Sequence, residues 1–327
     1  MFVSSLPLLW TIACLFGVLT IGTLVRVFML RGAEFETAQS HLKSVRTWWA
    51  LALSMAVALL LGKVGVVVLL AIAGIQTLRE YLQMIGWKRV GTPSAVVVFV
   101  SVPFYYAFVL FGHVEWLRSA APVAFLLGLG AVRAVLGFVE DFIRTTAALI
   151  WGLMLFVYCL SHASFLLTLP AQTEPWVGNI GWFMYLVLLT EINDIAQALV
   201  GRRYGRIKIA PRISPNKSLE GLLGGIAATI VVAVILAPWL TNLVQEGSRV
   251  FGVLCAMLSG LLIALFGFLG DINKSGIKRD SGIKDSGTIL PGQGGMMDRI
   301  DSLTFSAPAF YYFLQSILPI IDKVSST

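Results

Sequence analysis

The sequence predicts an all-α, polytopic integral membrane protein with about nine to ten transmembrane helices, and three observations carry that expectation. Hydrophobic residues make up 57% of the 327-residue chain and charged residues only 13%, against about half and about a quarter in an average soluble protein. Mean hydropathy is +0.86. Uncharged apolar runs close to the roughly 20 residues needed to cross a bilayer recur from end to end. A soluble enzyme with one packed core is excluded, because too few polar residues remain to cover it. Disorder is excluded by the same shortage.

Spans are expected over residues 7–28, 48–61, 64–78, 95–112, 117–137, 145–169, 178–200, 219–240, 249–270 and 302–321. The first has no basic n-region and no small-residue cleavage site, so it reads as a retained span rather than a signal peptide. The second and third are short and parted only by Gly62 and Lys63, which leaves a re-entrant hairpin as the alternative. No loop is long enough for a soluble domain. The chain divides into N-terminal spans over 1–170 and a second region, 171–327, whose loops at 201–218 and 271–301 carry the unusual residues.

Lys and Arg sort sharply by side. With ten spans, one side receives 18 of the 24 basic residues, from segments 31–47, 79–91, 138–146, 202–217 and 271–301. The other side has Lys63, Arg118, Arg249 and Lys323, while Arg26 and Arg133 are expected to snorkel toward the basic side. The positive-inside rule makes the basic side cytoplasmic. Merging the second and third spans would move Arg31, Lys43 and Arg46 outward, so the charge count favours two crossings. Trp116, Trp176 and Trp239 are expected at the outer interface, and Trp48, Trp49 and Trp87 at the inner one. Cys14, Cys159 and Cys255 all lie in apolar runs and read as packing residues.

Two basic-side segments depart from ordinary loop composition. GRRYGRIKIAPRISPNKSLEG, residues 201–221, holds Arg202, Arg203, Arg206, Lys208, Arg212 and Lys217 with no acid until Glu220. It suits either anionic headgroups or a phosphate site, since guanidinium forks and ammonium charges both match phosphoryl oxygens. The segment 271–301 adds five basic residues and five aspartates. Asp271 closes a span, where the helix dipole disfavours a carboxylate unless a cation is near. Asp298 and Asp301, three apart, share a face where the last helix begins. Simple N-capping is their ordinary explanation; with Asp271 they also form a candidate site for Mg²⁺, which commonly takes one or two carboxylates plus substrate phosphates. Gly287, Gly292, Gly294 and Gly295 let backbone amides approach an anion. Glu191, Asn193 and Asp194 put ionisable and polar groups inside the seventh span, near its basic end. Neither a P-loop nor a serine nucleophile elbow is present. Carboxylates, cations and glycines without a nucleophile suit metal-assisted phosphoryl or nucleotidyl transfer.

Ser275, Lys278, Arg279, Lys284, Asp285, Pro291, Gly294, Gly295, Asp298, Arg299 and Asp301 together resemble the C-terminal signature of the phosphatidate cytidylyltransferase (CDP-diacylglycerol synthase) family. Asp194, Gly201-Arg202-Arg203, Ser214-Pro215-Asn216-Lys217 and Glu220-Gly221 are similar to that family's second block, and LREYLQM at 78–84 to a weaker N-terminal feature. The resemblance covers roughly residues 190–302. Two departures stand out: Gln293 replaces a histidine, and Asp194-Ile195-Ala196-Gln197 replaces an Asp-x-Gly-Ala-Tyr-like run. Gln can hydrogen-bond but cannot titrate.

The resemblance implies a bacterial inner-membrane enzyme, with its active site on the cytoplasmic side, that joins CTP to phosphatidic acid in the bilayer and releases pyrophosphate. It implies catalytic roles for Lys278, Arg279, Lys284 and Asp285, and substrate contacts for Asp194, Ser214, Lys217, Gln293 and Arg299. Asp271, Asp298 and Asp301 would hold Mg²⁺. No nucleic-acid partner is expected, and a homodimer is left open. The competing readings are the same chemistry on another lipid phosphate or nucleotide, and a transporter or lipid-binding protein on an inactive scaffold.

Overall fold

The computed structural model describes residues 6–29, 35–169, 178–244, 249–283, 286–287 and 289–325. Every predicted span is occupied by a helix. In chain order these are α1 (Leu6–Met29), α2 (Phe35–Leu60), α3 (Gly62–Ile85), the short α4 (Trp87–Val90), α5 (Thr92–Leu110), α6 (Val114–Val135), α7 (Phe142–Leu153), α8 (Leu160–Phe165), α9 (Ile180–Tyr204), α10 (Leu219–Leu240), α11 (Arg249–Asp280) and α12 (Met297–Ser325). A π-helical turn at Met154–Cys159 joins α7 to α8 in one rod. Among the described residues, seven rods are long and apolar enough to cross a membrane: α3, α5, α6, α7–α8, α9, α10 and α11. The protein is an all-α polytopic membrane protein, and α1, α2 and α12 fill the other three predicted spans.

Several boundaries move, each for a local reason. Spans two and three fall on helices of 26 and 24 residues, longer than expected. The chain reverses between them at Gly62, whose φ of 65° suits a residue without Cβ. Residues 35–47, expected as a loop, form the polar first half of α2: they contain no Gly or Pro to stop a helix. Likewise 271–280, expected as loop, continue α11 by almost three turns. The 201–218 segment is not purely loop either. It carries an antiparallel hairpin of β1 (Lys208–Ala210) and β2 (Ser214–Ser218), the one departure from all-α among the described residues. Arg133 is fully buried and donates from Nη1 at 3.0 Å to the carbonyl of Val90, within the segment 79–91. Trp116 and Trp239 are exposed as expected of interface residues, and Trp176 lies outside the described residues.

The four C-terminal rods α9 to α12 pack by close backbone approach. Lipid tails are as apolar as leucine, so membrane helices associate through small residues and interhelical hydrogen bonds. Gly260 of α11 lies against Thr229, Ile230 and Ala233 of α10, where an added Cβ would overlap them. Gly221 of α10 meets Gly201 of α9, and Gly270 of α11 rests on the Asp301 carbonyl of α12. Several polar groups between the rods pair with one another. Tyr185 Oη meets Ser259 Oγ at 2.9 Å, Thr190 Oγ1 meets Ser306 Oγ at 3.2 Å, and Asn193 Nδ2 donates to the Ala264 carbonyl at 3.3 Å. Each such bond contributes about 0.6 kcal/mol in a membrane. The contact at Gly270 matters most, because it sets the last turns of α11 beside the first turn of α12.

Candidate active site

At that crossing three aspartates surround one lysine. Lys274 Nζ lies 2.9 Å from Asp271 Oδ1 and 3.6 Å from Asp298 Oδ1, and it pairs with Asp301. The spacing explains the cluster: Asp271, Lys274 and Lys278 recur at i, i+3 and i+7, so one face of α11 presents all three to α12. Asp271 also pairs at 2.5 Å with Lys217, which arrives from β2 and donates to Gln197 Oε1 at 3.1 Å. Lys278 Nζ donates to Asp298 Oδ1 at 2.8 Å, and Ser286 Oγ to Asp298 Oδ2 at 2.7 Å. Burial alone would raise the Asp298 carboxyl; the Lys278 hydrogen bond, the Lys274 charge and the Ser286 hydroxyl outweigh it and hold the group below the usual carboxylate range.

A buried acid from the N-terminal half fixes the glycine-rich segment beside this cluster. Glu80 of α3 is 2% exposed, and its carboxylate accepts from the Met296 and Met297 amides at 2.8 and 2.9 Å. Gly295 makes room there, since a Cβ would overlap Glu80 Oε2 and Ser286 Oγ and displace the carboxylate or the hydroxyl. Upstream, the chain turns tightly at Leu290–Gly294, with Gly292 and Gly294 at φ of 74° and 86°. The start of α2 holds that turn: Thr47 Oγ1 donates to the Pro291 carbonyl at 2.8 Å, and Gln293 Nε2 donates to the Ser44 carbonyl at 3.0 Å. Replacing Glu80 with glutamine keeps an acceptor for one amide and sets its NH2 donor against the other. A loss of about 1–3 kcal/mol is expected, read as a lower melting temperature in detergent.

Between the turn and the end of α11 opens a cavity of about 790 Å³. Among the described residues its charged lining is Lys43, Lys274, Lys278 and Arg299 against Asp298, with Gly287, Gly292 and Gly294 in the wall. Four cations around exposed glycine backbone form a cradle for phosphoryl oxygens.

The candidate residues fall into groups. Asp271, Asp298, Asp301 and Lys217 join the Lys274 cluster; Lys278, Gln293 and Arg299 line the cavity. Asp194 accepts from Ser302 Oγ at 2.8 Å, and its other oxygen is buried without a hydrogen-bond partner. Arg279 is exposed and donates to the Ile213 carbonyl at 3.3 Å, bracing the hairpin rather than lining the cavity. Ser214 opens β2 opposite Ala210 and joins neither group. Arg202, Arg203, Arg206, Lys208 and Arg212 are exposed on the hairpin and the end of α9 instead of lining the cavity. Lys284 and Asp285 lie outside the described residues.

Three residues escaped the sequence reading as members of the site. Lys274 had its spacing from Asp271 as a signal, and Glu80 its place in LREYLQM. Lys43 had none, since only folding brings it to the cavity. Lys43→Ala is expected to raise KM for one phosphate-bearing substrate by about tenfold, the worth of one charge-assisted hydrogen bond. Its exposure predicts an unchanged melting temperature.

Two observations decide whether these residues fit a divalent cation. The acids offer only hard oxygen donors, and one Asp194 oxygen is buried without a partner. Against that, the Lys274 ammonium holds the centre shared by the three aspartates. Among the described residues no group of three His, Cys, Asp or Glu side chains is arranged to hold an ion. The donors therefore fit Mg²⁺ in kind, with an ammonium at their centre.

A helical membrane bundle whose end carries paired acids, a cationic cradle and a glycine turn has the side-chain chemistry that phosphoryl or nucleotidyl transfer uses. The model of the cytidylyltransferase family matches residues 42–317, and the chain belongs to that family. It is 37% identical over 306 residues to the uncharacterized protein YnbB of Escherichia coli K12, covering 93% of this chain and 97% of that one. It is also 37% identical over 145 residues to a phosphatidate cytidylyltransferase of Haemophilus influenzae, covering 44% of this chain and 49% of that one. Another in Synechocystis is 39% identical over 131 residues, covering 40% and 42%. The chain thus spans less than half the length of the two enzymes named for that reaction.

Proposed function

We propose that this protein joins CTP to phosphatidic acid, forming CDP-diacylglycerol and pyrophosphate on the cytoplasmic face of a bacterial inner membrane. The cavity carries the reading: Lys43, Lys274, Lys278 and Arg299 converge beside a glycine turn at the basic end of a membrane bundle. Positive charge there suits a triphosphate and a lipid phosphate brought together. A phosphatidate oxygen attacks the α-phosphorus of CTP, the bond to the β-phosphate oxygen breaks, and pyrophosphate leaves with the electron pair. The attacking oxygen is already ionised at neutral pH, so no strong base is needed.

Lys278 and Arg299 neutralise the phosphates, while Glu80 and Gln293 hold the turn that faces them. Lys217 and Lys274 keep the aspartates aligned. Mg²⁺ would be held by Asp298 and Asp301, with Asp271, and would supply charge neutralisation for the leaving pyrophosphate.

Gln293→His keeps a donor for Ser44 and adds a titratable nitrogen on the cavity wall. Turnover is expected to rise severalfold; equal rates would show that this position is not limiting. A second reading, another lipid phosphate or nucleotide, is favoured by Gln197, which is buried and accepts the Lys217 hydrogen bond. Pyrophosphate release from purified protein in vesicles, screened over CTP, dCTP and several lipid phosphates, decides between them.

A further inference from the structure

The hairpin that delivers Lys217 carries a second surface, which the transfer chemistry leaves unused. Arg202, Arg203, Arg206, Lys208 and Arg212 are exposed, with no acid in sequence until Glu220. Glu220 is turned back on the hairpin, accepting from the Arg206 and Ile207 amides at 2.9 and 3.2 Å. Between the cations stand apolar side chains that a water-facing loop would hide: Tyr204 and Ile207 are each 59% exposed, Ile209 38% and Ile213 36%. Ile207 stands at the bend that leads into β1, and Ile209 lies within it. The hairpin leaves the end of α9 and returns at the start of α10, both long enough to cross the membrane. It is fastened at that level by the Arg279 bond to Ile213 and by Leu219 N donating to the Ile207 carbonyl at 2.8 Å.

Arginines flanking exposed isoleucines at the ends of membrane helices match the boundary between headgroups and acyl chains. We propose that the β1–β2 hairpin is a headgroup-binding element that lies on the bilayer and captures anionic phospholipid. It makes the neighbouring site respond to the negative charge of the membrane, beyond the substrate itself. Charge complementarity selects an anionic lipid surface over a protein partner. The consequence for rate rests on the reading above that the site takes a lipid phosphate; the binding of lipid does not. Lys217, on β2, connects the hairpin to Asp271 and so to the site.

The test uses the full chain in phosphatidylcholine vesicles with and without phosphatidylglycerol, at fixed phosphatidic acid. For the unaltered protein, KM for phosphatidic acid is expected to fall about fivefold as phosphatidylglycerol is added, and high salt to reverse the effect. The variant R206Q/K208Q/R212Q should lose that dependence with kcat retained. An undiminished response in the variant overturns the proposal. A direct arm places a fluorophore on Ile209→Cys: quenching by a nitroxide on the lipid headgroup is expected. Quenching by aqueous iodide alone overturns the proposal, as does shielding from both quenchers, which would indicate a protein partner. If the unaltered protein shows no turnover, the proposed reaction falls while the quenching arm still decides the hairpin.

Discussion

Replacing Lys274 with methionine is expected to cost about 3 kcal/mol of stability and at least a hundredfold in turnover. The ammonium stands among Asp271, Asp298 and Asp301, whose side chains are 17%, 12% and 7% exposed. Removing one partner of a buried charge cluster leaves the others uncompensated, which is the costly case. Methionine keeps much of the volume, so packing loss is small and the charge is what is tested. Melting in detergent reads the first effect, and pyrophosphate release the second. A further readout separates the electrostatic account from simple damage: millimolar Mg²⁺ should raise the melting temperature of Lys274→Met more than that of the unaltered protein. A variant that melts and turns over like its parent would contradict the cluster's role.

Asp298→Asn is expected to lower turnover by about two to three powers of ten, the range for losing one preorganised electrostatic group. Asp298 receives hydrogen bonds from Lys278 and Ser286 and is, among the described residues, the one acid on the cavity wall. Its depressed pKa fixes the pH behaviour. A carboxylate held below its unfolded value contributes stability that is fully present above that value, about 3.9, and is lost as pH falls through the folded one. The difference in melting temperature between the unaltered protein and Asp298→Asn should therefore be constant from pH 8 to pH 5 and shrink below about pH 4. Weaker Mn²⁺ binding by the variant, followed by electron paramagnetic resonance, reads the metal role without turnover. Unchanged turnover would refute that role.

The spans were legible because each is an uncharged apolar run, and burying backbone in lipid leaves helix as the answer. Their ends were not legible, because charge marks where the membrane stops and not where the helix stops. α11 runs on to Asp280 since its polar turns find partners on α12; α2 begins at Phe35 since its polar half docks on the 290–293 turn. Within the site, Asp298, Asp301 and Lys217 were readable from spacing and resemblance. Lys274 looked like one more loop cation until the crossing at Gly270 centred it among the acids. Glu80 bonds to amides 216 and 217 residues away, which no local pattern contains. The arginines of 202–212 and Lys217 were read as one basic segment, suited either to anionic headgroups or to a phosphate site. Hairpin geometry separates them, sending Lys217 inward and the others to the surface.

The most direct measurement is pyrophosphate release by the purified protein in vesicles with CTP and phosphatidic acid supplied singly and together. The account predicts release only when both are present, dependent on Mg²⁺, and at least a hundredfold lower in Asp298→Asn. No release with both substrates present, or equal release by the unaltered protein and Asp298→Asn, would contradict it.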